Sequence, residues 1–128
     1  MSARTNRWTQ NSLKNNNMLR GILYEPVQAD SLGAMVRLLP ESAVYAGHFP
    51  GYPITPGVCL VQIALELIGE RAGGPVRLVA AKNIKFTSPV FPADGAELRF
   101  NIEGAGESWS VEVYNGEVLS AKMSLTVA

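Results

Sequence analysis

The last third of the chain alternates apolar and polar residues with a period of two. Leu98, Phe100 and Ile102 alternate with Glu97, Arg99, Asn101 and Glu103. Trp109, Val111 and Val113 alternate with Ser110, Glu112 and Tyr114, and Ala121, Met123, Leu125 and Val127 with Lys122, Ser124 and Thr126. Side chains of a strand point to opposite faces in turn, so three such segments predict an antiparallel sheet with one buried face. Asn115-Gly116 between the last two is a hairpin signal, and Asp94-Gly95 marks a turn ahead of the first. Three further strands are expected upstream. Gly21 to Gln28 is broken by Pro26 and suits an edge or bent strand. Leu32 to Leu39 is stopped by Pro40-Glu41-Ser42, and Val76 to Phe86 follows Gly73-Gly74-Pro75.

One segment breaks this rhythm. From Gly57 to Gly69 only Gln62 and Glu66 are polar. Thr55 is placed to act as N-cap, Pro56 suits the first helical position and Gly69 is a plausible stop, so a helix is expected here. Ala43 to Ala46 can form a short helical turn. A helix that is apolar nearly all round must be buried nearly all round. One helix achieves that if a curved sheet wraps it and a second subunit helps to cover it. The pattern therefore predicts an α+β fold: one long central helix in a strongly bent antiparallel sheet of five or six strands.

The 128 residues suit one domain, with 18–128 as its body and the polar stretch 1–17, ending in Asn15-Asn16-Asn17, as a flexible tail. Eleven basic and eleven acidic residues cancel, so no net field argues for nucleic acid or a membrane surface. The only cysteine, Cys59, cannot form an internal disulfide, and there is no Cys/His cluster to hold a metal. No cofactor is expected. With no long apolar run and a polar N-terminus, the expected compartment is the cytoplasm.

The candidate chemistry is concentrated in His48-Phe49-Pro50-Gly51-Tyr52-Pro53-Ile54-Thr55-Pro56-Gly57. It holds the only histidine of the chain, three prolines and two glycines, and runs directly into the helix. A histidine near its unperturbed pKa of about 6.5 can take a proton at neutral pH. The amides of Gly57 and Val58 fall in the first turn, where donors lack internal partners and the helix dipole favours a developing negative oxygen. Gly57, without a side chain, also lets a ligand approach closely. Gln62 and Glu66, four apart, share one helix face. Either they line a substrate pocket, or Gln62 bonds sheet backbone while Glu66 reaches the sheet edge. Cys59 reads as a core residue, because no second histidine is present to serve it.

His48 to Val58, preceded by Gly47, resembles the signature of the 3-hydroxyacyl-acyl-carrier-protein dehydratases of type II fatty-acid synthesis. Lys85-Phe86-Thr87-Ser88-Pro89-Val90-Phe91-Pro92-Ala93-Asp94 resembles the family's strand and turn after the helix. The resemblance runs from about Leu19 to the C-terminus. It implies the hotdog fold and the dehydration of a 3-hydroxyacyl thioester to the trans-2-enoyl thioester. It gives His48 the role of base and the Gly57 amide, with that of Val58, the role of oxyanion donor. Phe49, Pro56, Val58 and Glu66 are the expected substrate-lining residues. The family carries a carboxylate where this chain has Gln62, and that carboxylate meets the histidine of the other subunit. The resemblance thus leaves three readings: a dehydratase in which Gln62 orients a hydroxyl or water, a binding or partner-dependent subunit, and a hotdog thioesterase. It implies acyl carrier protein as partner, docked on a basic patch drawn from Arg71, Arg77, Lys82 and Lys85. It also implies a homodimer or a heterodimer with a related subunit.

Overall fold

The computed structural model describes residues 18–46, 54–92 and 96–128. Six strands form one antiparallel sheet: β1 (Tyr24–Asp30), β2 (Gly33–Leu38), β3 (Leu78–Phe86), β4 (Glu97–Ala105), β5 (Ser108–Asn115) and β6 (Val118–Val127). Their order across the sheet is β1-β2-β4-β5-β6-β3. Two helices accompany them, a short α1 (Ala43–Ala46) and the long α2 (Gly57–Ala72). The α+β architecture expected from the sequence is the one observed.

The period-two segments become β4, β5 and β6, and their apolar residues share one face. Ala34, Phe100, Val113 and Ala121 lie opposite one another across four strands, as do Ile102, Val111 and Met123 across three. All of them are buried together with Leu60, Ile63, Ala64, Leu67 and Ile68 of α2. Each large apolar side chain so buried contributes about 1.5–3 kcal/mol, so this sheet–helix layer supplies most of the drive to fold.

Turn chemistry sets the register. Asn115 pairs with Val118, so the β5–β6 loop is Gly116-Glu117, with Gly116 at φ 64. Ala105 and Ser108 close the β4–β5 hairpin in the same way round Gly106-Glu107, with Gly106 at φ 63. Glycine as first loop residue supplies the left-handed conformation that two-residue hairpins need. The Asn115-Gly116 signal thus locates the hairpin, but its loop begins one residue later. The expected Asp94-Gly95 turn lies outside the described residues. β1 begins at Tyr24 and carries a bulge between Pro26 and Gln28, as an edge strand with a proline should.

α2 departs from expectation at both ends. Gly69 does not stop it. Gly69 is buried inside the helix because the returning chain passes over it: a Cβ there would lie 3.0 Å from the Gly74 carbonyl oxygen. The stop is Gly73 at φ 93, a left-handed residue whose amide, with that of Gly74, bonds back to the Gly69 carbonyl. At the other end Pro56, not Thr55, precedes the first helical residue, and no side chain among the described residues caps it. The Thr55 hydroxyl is instead 2.8 Å from that of Tyr45 in α1. Burial is also incomplete. The sheet covers the stripe from Leu60 to Ile68, but Val58 is 73% exposed and Val61 and Leu65 are only partly covered.

The β1–β2 turn is fixed by Asp30. One carboxylate oxygen accepts the amides of Leu32 (2.8 Å) and Gly33 (3.0 Å), and both oxygens take the Arg99 guanidinium of β4 at 2.8 and 3.0 Å. The Arg99 hydrogen bonds, followed by that of the Leu32 amide, hold the Asp30 carboxyl down at about 2, from 3.8. A depressed carboxyl stabilises the fold above its unfolded pKa, and that contribution is lost as pH falls through the folded value. Asp30→Asn should therefore unfold at lower denaturant than the parent at pH 7. The gap in midpoints should shrink as pH is lowered from 3.8 toward 2. A gap unchanged at pH 2 would refute the assignment.

Candidate active site

Among the described residues, nothing accepts the first donors of α2. Pro56 has no N–H, and its carbonyl accepts the amides of Cys59 (2.9 Å) and Leu60 (3.3 Å). The amides of Gly57 and Val58 precede the first intrahelical acceptor, and the dipole of sixteen helical residues stands behind them. The chain reaches this point rigidly, since the Thr55 amide bonds the Val90 carbonyl at 2.8 Å and so ties the helix entry to the segment after β3. Gly57 has a second reason to lack a side chain. A Cβ there would stand 2.6–2.9 Å from three carbons of the Phe86 ring. The space first ascribed to an approaching ligand is taken, on that side, by Phe86, which projects half exposed from the end of β3.

A cleft of about 880 Å³ runs along the uncovered face of α2. Val58, Val61, Leu65, Val76 and Leu78 supply its apolar lining, and Arg20, Gln62, Glu66, Glu70 and Arg77 its polar members. Gln62 and Glu66 both line the cleft, and of the second alternative left open for this pair the half that concerns Glu66 is observed. Glu66 reaches the sheet edge: its Oε2 accepts the Leu19 amide at 2.7 Å, and its Oε1 accepts the Arg20 amide at 3.1 Å and the Tyr24 hydroxyl of β1 at 2.8 Å. Gln62 bonds no sheet backbone among the described residues. Its Nε2 donates to Glu66 Oε2 at 2.9 Å. Burial, reinforced by Glu66, pushes the Tyr24 hydroxyl far above its ordinary range, so Tyr24 remains a proton donor to the carboxylate.

Of the residues singled out in the sequence, Val58, Gln62 and Glu66 come together on the cleft, whereas Pro56 and Gly57, just before Val58 in the chain, are not among its lining residues. His48 and Phe49 lie outside the described residues. Cys59 packs against the core, where burial raises its thiol pKa. The Arg71 guanidinium is bonded to the carbonyls of Asp30 and Ser31, whereas Arg77, Lys82 and Lys85 are exposed on or beside β3. Tyr24 and Tyr45 escaped sequence reasoning. Each lies in a short element of weak periodicity, and the only hint was a hydroxyl-bearing residue among apolar neighbours.

The ApeI-like family model, described as ApeI dehydratase, matches residues 25–124. A FabZ 3-hydroxyacyl-[acyl-carrier-protein] dehydratase from Syntrophobacter fumaroxidans is 30% identical over 92 residues, 63% of either chain. Its counterpart from Sulfurimonas denitrificans is 32% identical over 98 residues, 64% of this chain and 66% of that one. The chain thus spans less than two thirds of the length of these relatives. The dehydratase heterocomplex ApeI:P from Xenorhabdus doucetiae superposes with a TM-score of 0.62 at 18% identity, over 81% of this chain and 94% of that one. A thioesterase from Haemophilus influenzae superposes with a TM-score of 0.60 at 13% identity, over 96% and 90%. At such identities the superpositions show the fold alone, and that fold is the hotdog fold.

The contact between Gly57 and Phe86 can be tested by stability. Gly57→Ala should lower the unfolding free energy by about 1–2 kcal/mol, the usual cost of inserting a methyl into occupied space. In a Phe86→Ala background the same change should cost less than about 0.5 kcal/mol, since the two residues are coupled. Additive losses in chemical denaturation would refute the contact.

Proposed function

Because the chain belongs to the ApeI-like dehydratase family, we propose that it dehydrates a 3-hydroxyacyl thioester, carried on acyl carrier protein, to the trans-2-enoyl thioester. The observation that carries this reading is the uncapped start of α2 at the end of an apolar cleft. Loss of the C2 proton puts charge on the thioester oxygen, and the Gly57 and Val58 amides supply fixed donors for it. His48 takes the C2 proton. The electron pair forms the C2–C3 double bond as the C3–O bond breaks, and the leaving hydroxyl takes up a proton to depart as water. An amide has no proton to give at neutral pH, so Gln62 orients the hydroxyl, and the imidazolium of His48 returns the proton. Arg77, Lys82 and Lys85 are the exposed cations offered to the acidic carrier protein.

A second reading is favoured by the open face of α2 and by Gln62 itself. The subunit would work in a dimer with a related hotdog chain that brings a carboxylate to His48. The heteromeric ApeI:P neighbour supports such an assembly.

The test is enoyl formation from a 3-hydroxyacyl thioester on carrier protein, by the purified chain alone and mixed with candidate hotdog partners. The expected result is turnover that rises with pH as the base loses its proton. His48→Ala should lower it by at least about 10²-fold. Turnover only in the mixture selects the second reading. Release of free thiol without enoyl product would select a thioesterase and overturn both.

A further inference from the structure

The Glu66 carboxylate has four donors among the described residues: two backbone amides, the Tyr24 hydroxyl and the Gln62 amide. Each oxygen accepts two of them, which uses the full acceptor capacity of a carboxylate. Three of the four come from residues 19–24, so Glu66 is fastened from outside the helix. The fourth partner, Gln62, is the one free to be oriented by it.

An amide side chain can point either end at a neighbour, and chemistry decides which. The amides of Leu19 and Arg20 can only donate, so Glu66 must accept on both oxygens. The end of Gln62 at 2.9 Å is therefore the NH2 group. The carbonyl Oε1 then points away from Glu66. Among the described residues nothing donates to Oε1, and Gln62 lines the cleft. From this geometry we propose that Glu66 is a positioning residue: by holding one N–H of the Gln62 amide it keeps the carbonyl Oε1 available to the cleft as an acceptor, selecting ligands that carry a hydroxyl there. The choice of ligand rests on the dehydratase reading.

The prediction separates three acyl pantetheine thioesters that differ only at C3. A 3-hydroxy group can donate to Gln62, a 3-oxo group can only accept, and an unsubstituted chain does neither. Binding is measured by calorimetry on His48→Ala protein, which blocks turnover. The 3-hydroxy ligand should bind about tenfold more tightly than the other two, the worth of one hydrogen bond, and the 3-oxo ligand no better than the unsubstituted one. Equal affinity for 3-hydroxy and 3-oxo ligands would overturn the orientation. Binding of none of the three would overturn the thioester reading and this inference with it.

Glu66→Gln, added to that protein, should abolish the preference for the 3-hydroxy over the 3-oxo ligand, because a neutral amide no longer dictates which end Gln62 presents. Retention of the preference would refute the positioning role. Should the loss of the Leu19 and Arg20 anchors unfold this variant, the Gln62 side chain of nitrogen-15-labelled parent protein decides. One downfield, slowly exchanging N–H proton is expected, and two ordinary fast-exchanging protons would overturn the clamp.

Discussion

A helix with more apolar surface than its own sheet can cover governs this molecule. The inner rows of β4, β5 and β6 take the stripe of α2 from Leu60 to Ile68. The described residues leave the opposite stripe partly open, with Val58 exposed and Val61 and Leu65 only partly covered. Beside it runs β3, an edge strand with Leu78, Val79 and Phe86 exposed and one side of its backbone unpaired. Single exposed hydrophobics are ordinary, but an apolar helical stripe next to an open strand edge is the pattern of an interface. The cleft, Gln62 and the helix start lie on that same face. Whatever covers the apolar surface therefore also closes the candidate site, and burial and chemistry become one problem.

Glu66 shows how a charge is tolerated on such a helix. A carboxylate leaving water needs replacement donors. Three of the four come from Leu19, Arg20 and Tyr24, just ahead of β1 and at its first residue, so the edge of the sheet is tied to its central helix. The Arg20–Glu70 ion pair one turn on, exposed on both sides, adds little by comparison. Tyr24 adds a donor that stays protonated, because burial holds its hydroxyl above the ordinary range. A residue that looks like an isolated polar member of an apolar helix is thus the fastening between two layers.

The parts legible in the sequence are those governed by period. Leu98, Phe100, Ile102, Trp109, Val111 and Val113 fall on the inner face as their alternation requires, and the apolar run after Pro56 is the helix. Boundaries that depend on chain return were not legible. Gly69 reads as a stop by local preference, yet it is small because Gly74 and Pro75 fold back over it. Thr55 reads as a cap, yet its hydroxyl is claimed by Tyr45, ten residues earlier. For the candidate site, the shared face of Gln62 and Glu66 follows from their spacing, but the partners that divide their roles do not. Leu19, Arg20 and Tyr24 reach Glu66 across more than forty positions, and no linear pattern carries that.

The same fastening bears on why an amide occupies position 62. A carboxylate in its place would put a second negative oxygen where the Gln62 nitrogen now stands, 2.9 Å from Glu66 Oε2. Like charges so close, partly shielded from water, repel on the order of 4 kcal/mol. One of the two would have to take up a proton, and Glu66 has no spare contact at which to hold it, since its donors fill both oxygens. A carboxylate anchor at 66 and a carboxylate acid at 62 are therefore competing uses of one helix face. This chain has the anchor. In the proposed dehydration, the proton returned to the leaving hydroxyl then has two origins to choose between, the imidazole of His48 or a group on another polypeptide. The uncovered stripe of α2 leaves room for the second without requiring it, so the need for a partner turns on proton supply rather than on the fold.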